Sequence, residues 1–189
     1  MELHDLIAQQ LPRTIGLRHR LHQIPELGYE ERKTAAAIRA ELEQLDIEYV
    51  GDIPGVTTAT VATIGDAGKR CIAMRADIDA LPITEATGLA YASTHAGRMH
   101  ACGHDGHTAA LVGVASVLQA VKRELPVCVK LIWQPAEEGG GGAERLVRAG
   151  VLDGTIGPKV EAIFGQHGWP SLKVGLVASK PGPILAATD

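Results

Sequence analysis

The sequence predicts an α/β protein with a mainly parallel sheet flanked by helices, and three observations carry that expectation. From residue 70 onward, short apolar runs and helical patterns follow one another as strand, helix, strand, helix, strand, the order that builds a parallel sheet through helical crossovers. Three of those strand-like runs are each followed by metal-ligand residue types: Asp77 and Asp79, Glu137 and Glu138, and Gln166 with His167. Between the first two lies the densest cluster of such residues, Met99 to His107. In open α/β sheets the ligand crevice lies outside the carboxyl ends of the strands, so these residues would meet there if the strands are parallel neighbours.

The elements follow in order. Leu17 and Leu21 come after Pro12, a residue suited to open a helix, and the pattern breaks at Pro25. From Glu30 to Leu45 the apolar positions Ala35, Ile38, Leu42 and Leu45 recur at helical spacing, with Glu30 and Glu31 placed in the favourable first turn. Residues 57–64 and 70–76 read as strands, and a helix follows from about Thr108 to Val121, its inner face carrying Leu111, Ala115 and Leu118. Pro126 opens the strand-like run 127–133, a short helix covers Ala143 to Ala149 with Gly150 as its cap, and 160–165 is the last apolar run. No repeat or low-complexity segment interrupts this order, so residues 1–189 read as one domain.

Composition narrows the class. A chain of 189 residues with 46% hydrophobic and 21% charged content is long enough for one sizeable core. A net charge of -4, from 18 basic and 22 acidic residues without a basic stripe, offers a phosphate backbone little surface, so nucleic acid is not an expected partner. The acidic start Met1-Glu2-Leu3-His4-Asp5 does not read as a signal peptide, and no run has the length of a membrane span. Neither a membrane nor export is expected, which leaves the cytoplasm. The three cysteines agree: Cys71 and Cys128 sit in apolar strand-like runs and read as buried hydrophobes, and only Cys102 stands among polar neighbours.

Cys102 and His104, two residues apart, can reach one ion, and a thiolate with an imidazole suits Zn²⁺ or a similar transition ion. A Cys-x-His pair alone is weak evidence, but His95, His100, His104 and His107, four of the chain's eight histidines, fall between residues 95 and 107. Asp105 reads either as the N-terminal cap of the following helix or as a group supporting a ligand, and His100 and His107 as supporting or structural residues. In Glu137-Glu138, neighbouring side chains of an extended segment point to opposite faces, so one carboxylate is free to bind metal while the other faces substrate. A carboxylate beside a metal-activated water suits proton transfer, first as base and then as acid toward a departing amine. Gly139 to Gly142 let the backbone pass close to a site, but no Gly-Lys-Ser/Thr ends the run, and neither His-Glu-x-x-His nor Gly-x-Ser-x-Gly occurs.

Taken together, five segments resemble the M20 metallopeptidase family, in its amidohydrolase branch of hippurate hydrolases, N-acyl-amino-acid amidohydrolases and auxin-conjugate hydrolases. They are Leu21 to Glu31, Met74 to Ile83, Met99 to His107, Trp133 to Glu138, and Gln166 to Pro170. The resemblance implies a zinc-peptidase-like catalytic domain and one or two divalent ions, with Zn, Mn, Co and Ni indistinguishable. It implies that Cys102 bridges two ions, that His104 and His167 complete one position, that Glu138 serves the other, and that Glu137 is the general base. Other branches carry a metal-binding histidine at the position of Asp77 and an orienting aspartate at that of Asp79. Asp79 is therefore expected as a catalytic helper, and Asp77 outside the ligand set.

Family members are much longer and insert a lid and dimerisation domain before returning to the catalytic domain for a further histidine ligand. Pro181-Gly182-Pro183 resembles the approach to that lid, so the resemblance reads 1–189 as the first segment of an incomplete catalytic domain that lacks the lid, any homo-oligomer forming only through the lid. The expected activity is hydrolysis of the amide bond of small N-acyl amino acids. Two alternatives stay open: a cysteine hydrolase with Cys102 as nucleophile, and a metal-binding fragment without turnover.

Overall fold

The computed structural model describes residues 2–182. In chain order the elements are α1 (Leu3–His22), α2 (Arg32–Gln44), β1 (Tyr49–Ile53), β2 (Val56–Ile64), β3 (Cys71–Asp77), α3 (His104–Ala120), β4 (Cys128–Gln134), α4 (Gly142–Arg148) and β5 (Val160–Gly165). The five strands form one mixed sheet in the order β1-β2-β4-β3-β5. β3 pairs in parallel with both β4 and β5, and this is the parallel unit anticipated from residue 70 onward. β1 and β2 extend it by antiparallel pairing on the far side of β4.

Two apolar layers sandwich the sheet. On one face Leu17 and Leu21 of α1, Ile38 and Leu42 of α2, and Leu111, Val112 and Ala115 of α3 pack against Ala62, Ile64, Ala76, Val129, Leu131 and Trp133. On the other, Leu146 of α4 and Val151 meet Val56, Val61, Ala73 and Ile132. β4 is buried along its whole length, as a strand covered on both faces must be, and each large aliphatic side chain taken fully out of water there contributes roughly 1.5–3 kcal/mol.

The crossovers β3-α3-β4 and β4-α4-β5 lie on opposite faces of the sheet, and β5 pairs on the other side of β3 from β4. Chain directions thus diverge above the carboxyl ends of β3, β4 and β5, the arrangement that opens a crevice in doubly wound sheets. Two anchors fix α3 over that edge. Thr108 Oγ1 donates to the Asp77 carbonyl at 3.0 Å, and Trp133 Nε1 donates to the Thr108 carbonyl at 3.3 Å.

Several expectations need correction. Pro12 does not open α1 but lies inside it, at an exposed position. Glu31 is not a first-turn residue facing the helix dipole. It precedes Arg32, is fully buried, and accepts hydrogen bonds from Thr58 Oγ1 at 2.7 Å and from the Ala136 N–H at 2.9 Å. β1 is a strand that no apolar run announces, its five residues including Gly51 and Asp52 at an irregular step in register. Pro183 to Asp189, which complete the lid-like segment, lie outside the described residues.

Candidate metal centre

Each suspect residue sits where a strand ends or a helix begins. Asp77 closes β3, in register with Gln134, the last residue of β4. Asp79 follows two residues later, Glu137 and Glu138 stand three and four residues beyond β4, and His167 stands two beyond β5. Gly103, at φ 85°, turns the chain from Cys102 into α3, so that His104 occupies the first helical position. A side chain at that φ would be strained, which ties the Cys-Gly-His spacing to the turn.

The turn carrying the acidic pair is tightly specified. Ala136 is fully buried and takes a left-handed φ of 51°, uncommon for a residue with a side chain. A Cβ on Gly142 would stand 1.8 Å from the Pro135 carbonyl oxygen, so the close pass of 135–142 requires glycine there. Glu31 holds the Ala136 N–H, and Asp79 Oδ2 accepts the Glu138 N–H at 2.9 Å. Two buried carboxylates thus brace the segment on either side of Glu137.

His104 is fully buried, and its Nδ1 lies 2.9 Å from the Asp79 carbonyl oxygen and 3.3 Å from Asp79 Oδ1. Both are acceptors, so Nδ1 carries the proton and Nε2 presents a lone pair in the neutral ring. That Nε2 has no hydrogen-bond partner among the described residues. It faces Asp77 Oδ2 at 3.6 Å, Glu137 Oε2 at 3.8 Å and Glu138 Oε1 at 3.8 Å. His167 follows the same rule: Nδ1 donates to the Gly168 carbonyl at 2.7 Å, and Nε2 lies 3.4 Å from Cys102 Sγ.

Ligand-type atoms of Cys102, His104 and Glu138 lie within 4.8 Å of one another, as do those of Asp77, His104, His107 and His167. Three of the anticipated ligands, Cys102, His104 and Glu138, thus form one group, and His167 lies in the adjoining one, which shares His104; the His167 Nε2 is 3.4 Å from Cys102 Sγ, and Glu137 stands 3.8 Å from His104 Nε2. Asp77, not expected among the ligands, belongs to the group of His104, His107 and His167. Asp79 is buried and spends its oxygens on His104 and the Glu138 N–H, so it orients both.

The electrostatics suit a cation. Burial pushes the Cys102 thiol up to about 12, with further pushes from its hydrogen bond to Glu138 and the charges of Glu138, Asp77 and Glu137. A thiol so placed does not ionise as a free nucleophile near neutral pH, whereas a bound cation reverses the local field and favours the thiolate. Burial opposes a charge on His104, but the Asp79 hydrogen bond and the charges of Asp77, Asp79 and Glu138 outweigh it and raise its pKa. An unpaired imidazole nitrogen buried beside Cys102 and Glu138 fits a divalent ion, which would give His104 Nε2 the partner it lacks.

Asp105 is not a cap. Gly103 is the residue before α3, and Asp105 Oδ2 instead accepts from Arg18 Nε and His22 Nδ1, each at 2.8 Å, joining α3 to α1. His100 is buried and belongs to neither ligand group.

A cleft of about 330 Å³ lies beside the cluster, lined by Met74, His107, Val114, Phe164 and His167 among others. A larger hollow of about 620 Å³, near Asp46, Lys69 and Lys122, contains none of the clustered ligands. The chemistry therefore points to the smaller space.

The profile of peptidase family M20/M25/M40 matches residues 73–184. The chain is 47% identical over 178 residues to an N-acetylcysteine deacetylase of Bacillus subtilis, covering 94% of this chain and 45% of that protein. It is 45% identical over 174 residues to an IAA-amino acid hydrolase of Arabidopsis thaliana, covering 92% and 38%. An N-acyl-L-amino acid amidohydrolase of Geobacillus stearothermophilus is 38% identical, covering 100% and 50%. Among solved structures, the YXEP protein of Bacillus subtilis, described as a dinuclear metal binding peptidase from the M20 family, superposes with a TM-score of 0.84 at 47% identity, covering 91% of this chain and 46% of that one. The chain spans half or less of the length of each of these proteins.

Proposed function

The chain belongs to peptidase family M20/M25/M40, and we propose that it supplies the first part of the catalytic centre of a metal-dependent amidohydrolase acting on small N-acyl amino acids. The observation that carries this reading is that His104 Nε2 meets Cys102 and Glu138 while His167 Nε2 meets Cys102, both rings in the lone-pair tautomer. Cys102, His104, Glu138 and His167 would hold one or two divalent ions, a donor set compatible with Zn, Mn, Co or Ni. Bound there, such an ion supplies Lewis acidity that polarises an amide carbonyl and acidifies water.

The chain's own groups do the rest. Glu137, 39% exposed and 3.8 Å from His104 Nε2, has an open carboxylate that would take a proton from attacking water and give it to the departing amine. Asp79 fixes the His104 tautomer and the Glu138 backbone, and so acts by positioning. N-acyl amino acids are the substrate class because the similar deacetylase and amidohydrolase are named for such amides. The described residues include no helix long and apolar enough to cross a membrane, and the three cysteines are free, which suits the reducing cytoplasm.

A second reading, metal binding without turnover, draws support from the chain's share of its relatives' length, 38–50%. Residues 1–189 would then be one segment of a catalytic unit completed elsewhere. One comparison separates the readings: Glu137→Gln should leave metal content intact and lower hydrolysis of N-acyl amino acids at least a hundredfold. Cys102→Ser should lower metal content. Activity that survives chelation and disappears on thiol alkylation would contradict the proposal and support a cysteine nucleophile.

A further inference from the structure

His107 shares the ligand cluster with Asp77, His104 and His167, yet its hydrogen bonds set it apart. The Gly168 N–H can only donate, and it points at His107 Nε2 from 2.9 Å, so Nε2 is the acceptor. The ring proton must then sit on Nδ1, which donates to Asp77 Oδ1 at 2.7 Å. Both nitrogens are spent, in contrast to the open Nε2 of His104. Asp77 is equally occupied: its second oxygen accepts from Arg75 Nη1 at 2.7 Å, and Arg75 Nε donates to Gln134 Oε1 at 2.7 Å.

The other end of this chain of bonds is the His167 segment. β5 ends at Gly165, and residues 166–169 have no regular structure. Gly168 is held on both sides, its N–H by His107 and its carbonyl by the His167 ring, and the His107 and His167 rings meet edge to face at 4.7 Å. Resting on the metal-centre reading above, we propose that Asp77 and His107 form a strut, running from the end of β3 through the ring to the Gly168 peptide, that aims His167 Nε2 at Cys102 without lending a ligand of its own. The Asp77 carboxylate, where relatives outside this branch would place a metal ligand by the resemblance noted above, is on this account the foot of the strut.

Two measurements on the 189-residue chain decide the matter. In the metal-free protein, long-range ¹H–¹⁵N correlation should show His107 as the Nδ1–H tautomer, and an Nε2–H tautomer would overturn the proposal. In cobalt(II) titrations followed by absorption, His107→Gln, whose amide offers one donor and one acceptor, should keep the thiolate-to-cobalt band and bind within about threefold of the unsubstituted chain. His107→Leu should keep the band and stoichiometry but lose about tenfold to a hundredfold in affinity, the usual range for a supporting partner. Asp77→Asn, which keeps an acceptor for His107 but turns its NH2 toward Arg75, should fall between the Gln and Leu variants, and Asp77→Ala should follow the Leu variant. A Gln variant that falls as far as Leu, with a shifted band, would make His107 a ligand and refute the strut. Equal affinity in all variants would refute it as well, whereas an unsubstituted chain that binds no cobalt would overturn the metal-centre reading itself.

Discussion

Removing the Glu31 carboxylate should loosen the turn that presents Glu137 and Glu138. Glu31→Ala leaves the fully buried Ala136 N–H and the buried Thr58 hydroxyl without their acceptor. Each such orphaned group costs roughly 1–3 kcal/mol, and the vacated volume adds to this, giving about 3–5 kcal/mol in all. With a urea slope of about 2 kcal/mol/M for a chain of this size, the unfolding midpoint should fall by about 2 M. Glu31→Gln keeps one acceptor oxygen and should lose about 1–2 kcal/mol. The pH dependence adds a signature. Burial dominates and raises the Glu31 pKa above 4.5, against the opposing hydrogen bonds from Thr58 and Ala136. A carboxyl with a raised folded pKa contributes most to stability below its unfolded pKa and loses that contribution as pH rises through the folded value. The advantage of the native chain over Glu31→Gln should therefore shrink as pH increases from 4.5. A midpoint shift below about 0.5 M for Glu31→Ala, or an advantage that grows with pH, would refute the reasoning.

Other perturbations have directions set by the same geometry. Gly142→Ala drives a Cβ to within 1.8 Å of the Pro135 carbonyl oxygen, so it should destabilise by more than about 2 kcal/mol and weaken metal binding through Glu138, as urea unfolding and metal titration would show. β5 is an edge strand with Ile163 and Phe164 about half exposed; Ile163→Lys should reduce concentration-dependent association in analytical ultracentrifugation without lowering the melting temperature.

Much of this architecture is legible in the residues, for identifiable reasons. The run 127–133 is apolar apart from Lys130 because β4 is covered on both faces, and Ile38 and Leu42 repeat at helical spacing because α2 has a single buried side. The convergence of ligand types followed from strand ends, a rule of topology that needs no contact information. What the sequence hides is tertiary. Whether a glutamate near a helix start faces the dipole or is buried beneath a neighbouring turn depends on what packs there, and Glu31 meets Ala136, 105 residues away. Pro12 suits a helix start by its local geometry, yet α1 carries it in its interior because the helix is set by Leu17 and Leu21 packing against the sheet. β1 carries Gly51 and Asp52 in a short irregular strand, a composition that reads as a turn. The role of His107 rests on a backbone N–H donated by Gly168, 61 residues further along, and no spacing rule encodes it.

The central claim is that Cys102, His104, Glu138 and His167 hold a divalent ion, and X-ray absorption of the zinc-loaded chain tests it most directly. The account predicts a sulfur scatterer at about 2.3 Å together with nitrogen or oxygen scatterers at about 2.0–2.1 Å, the sulfur shell vanishing in Cys102→Ser. A spectrum fitted by oxygen and nitrogen alone in the unsubstituted chain, unchanged by Cys102→Ser, would place the ion on surface carboxylates and contradict the account.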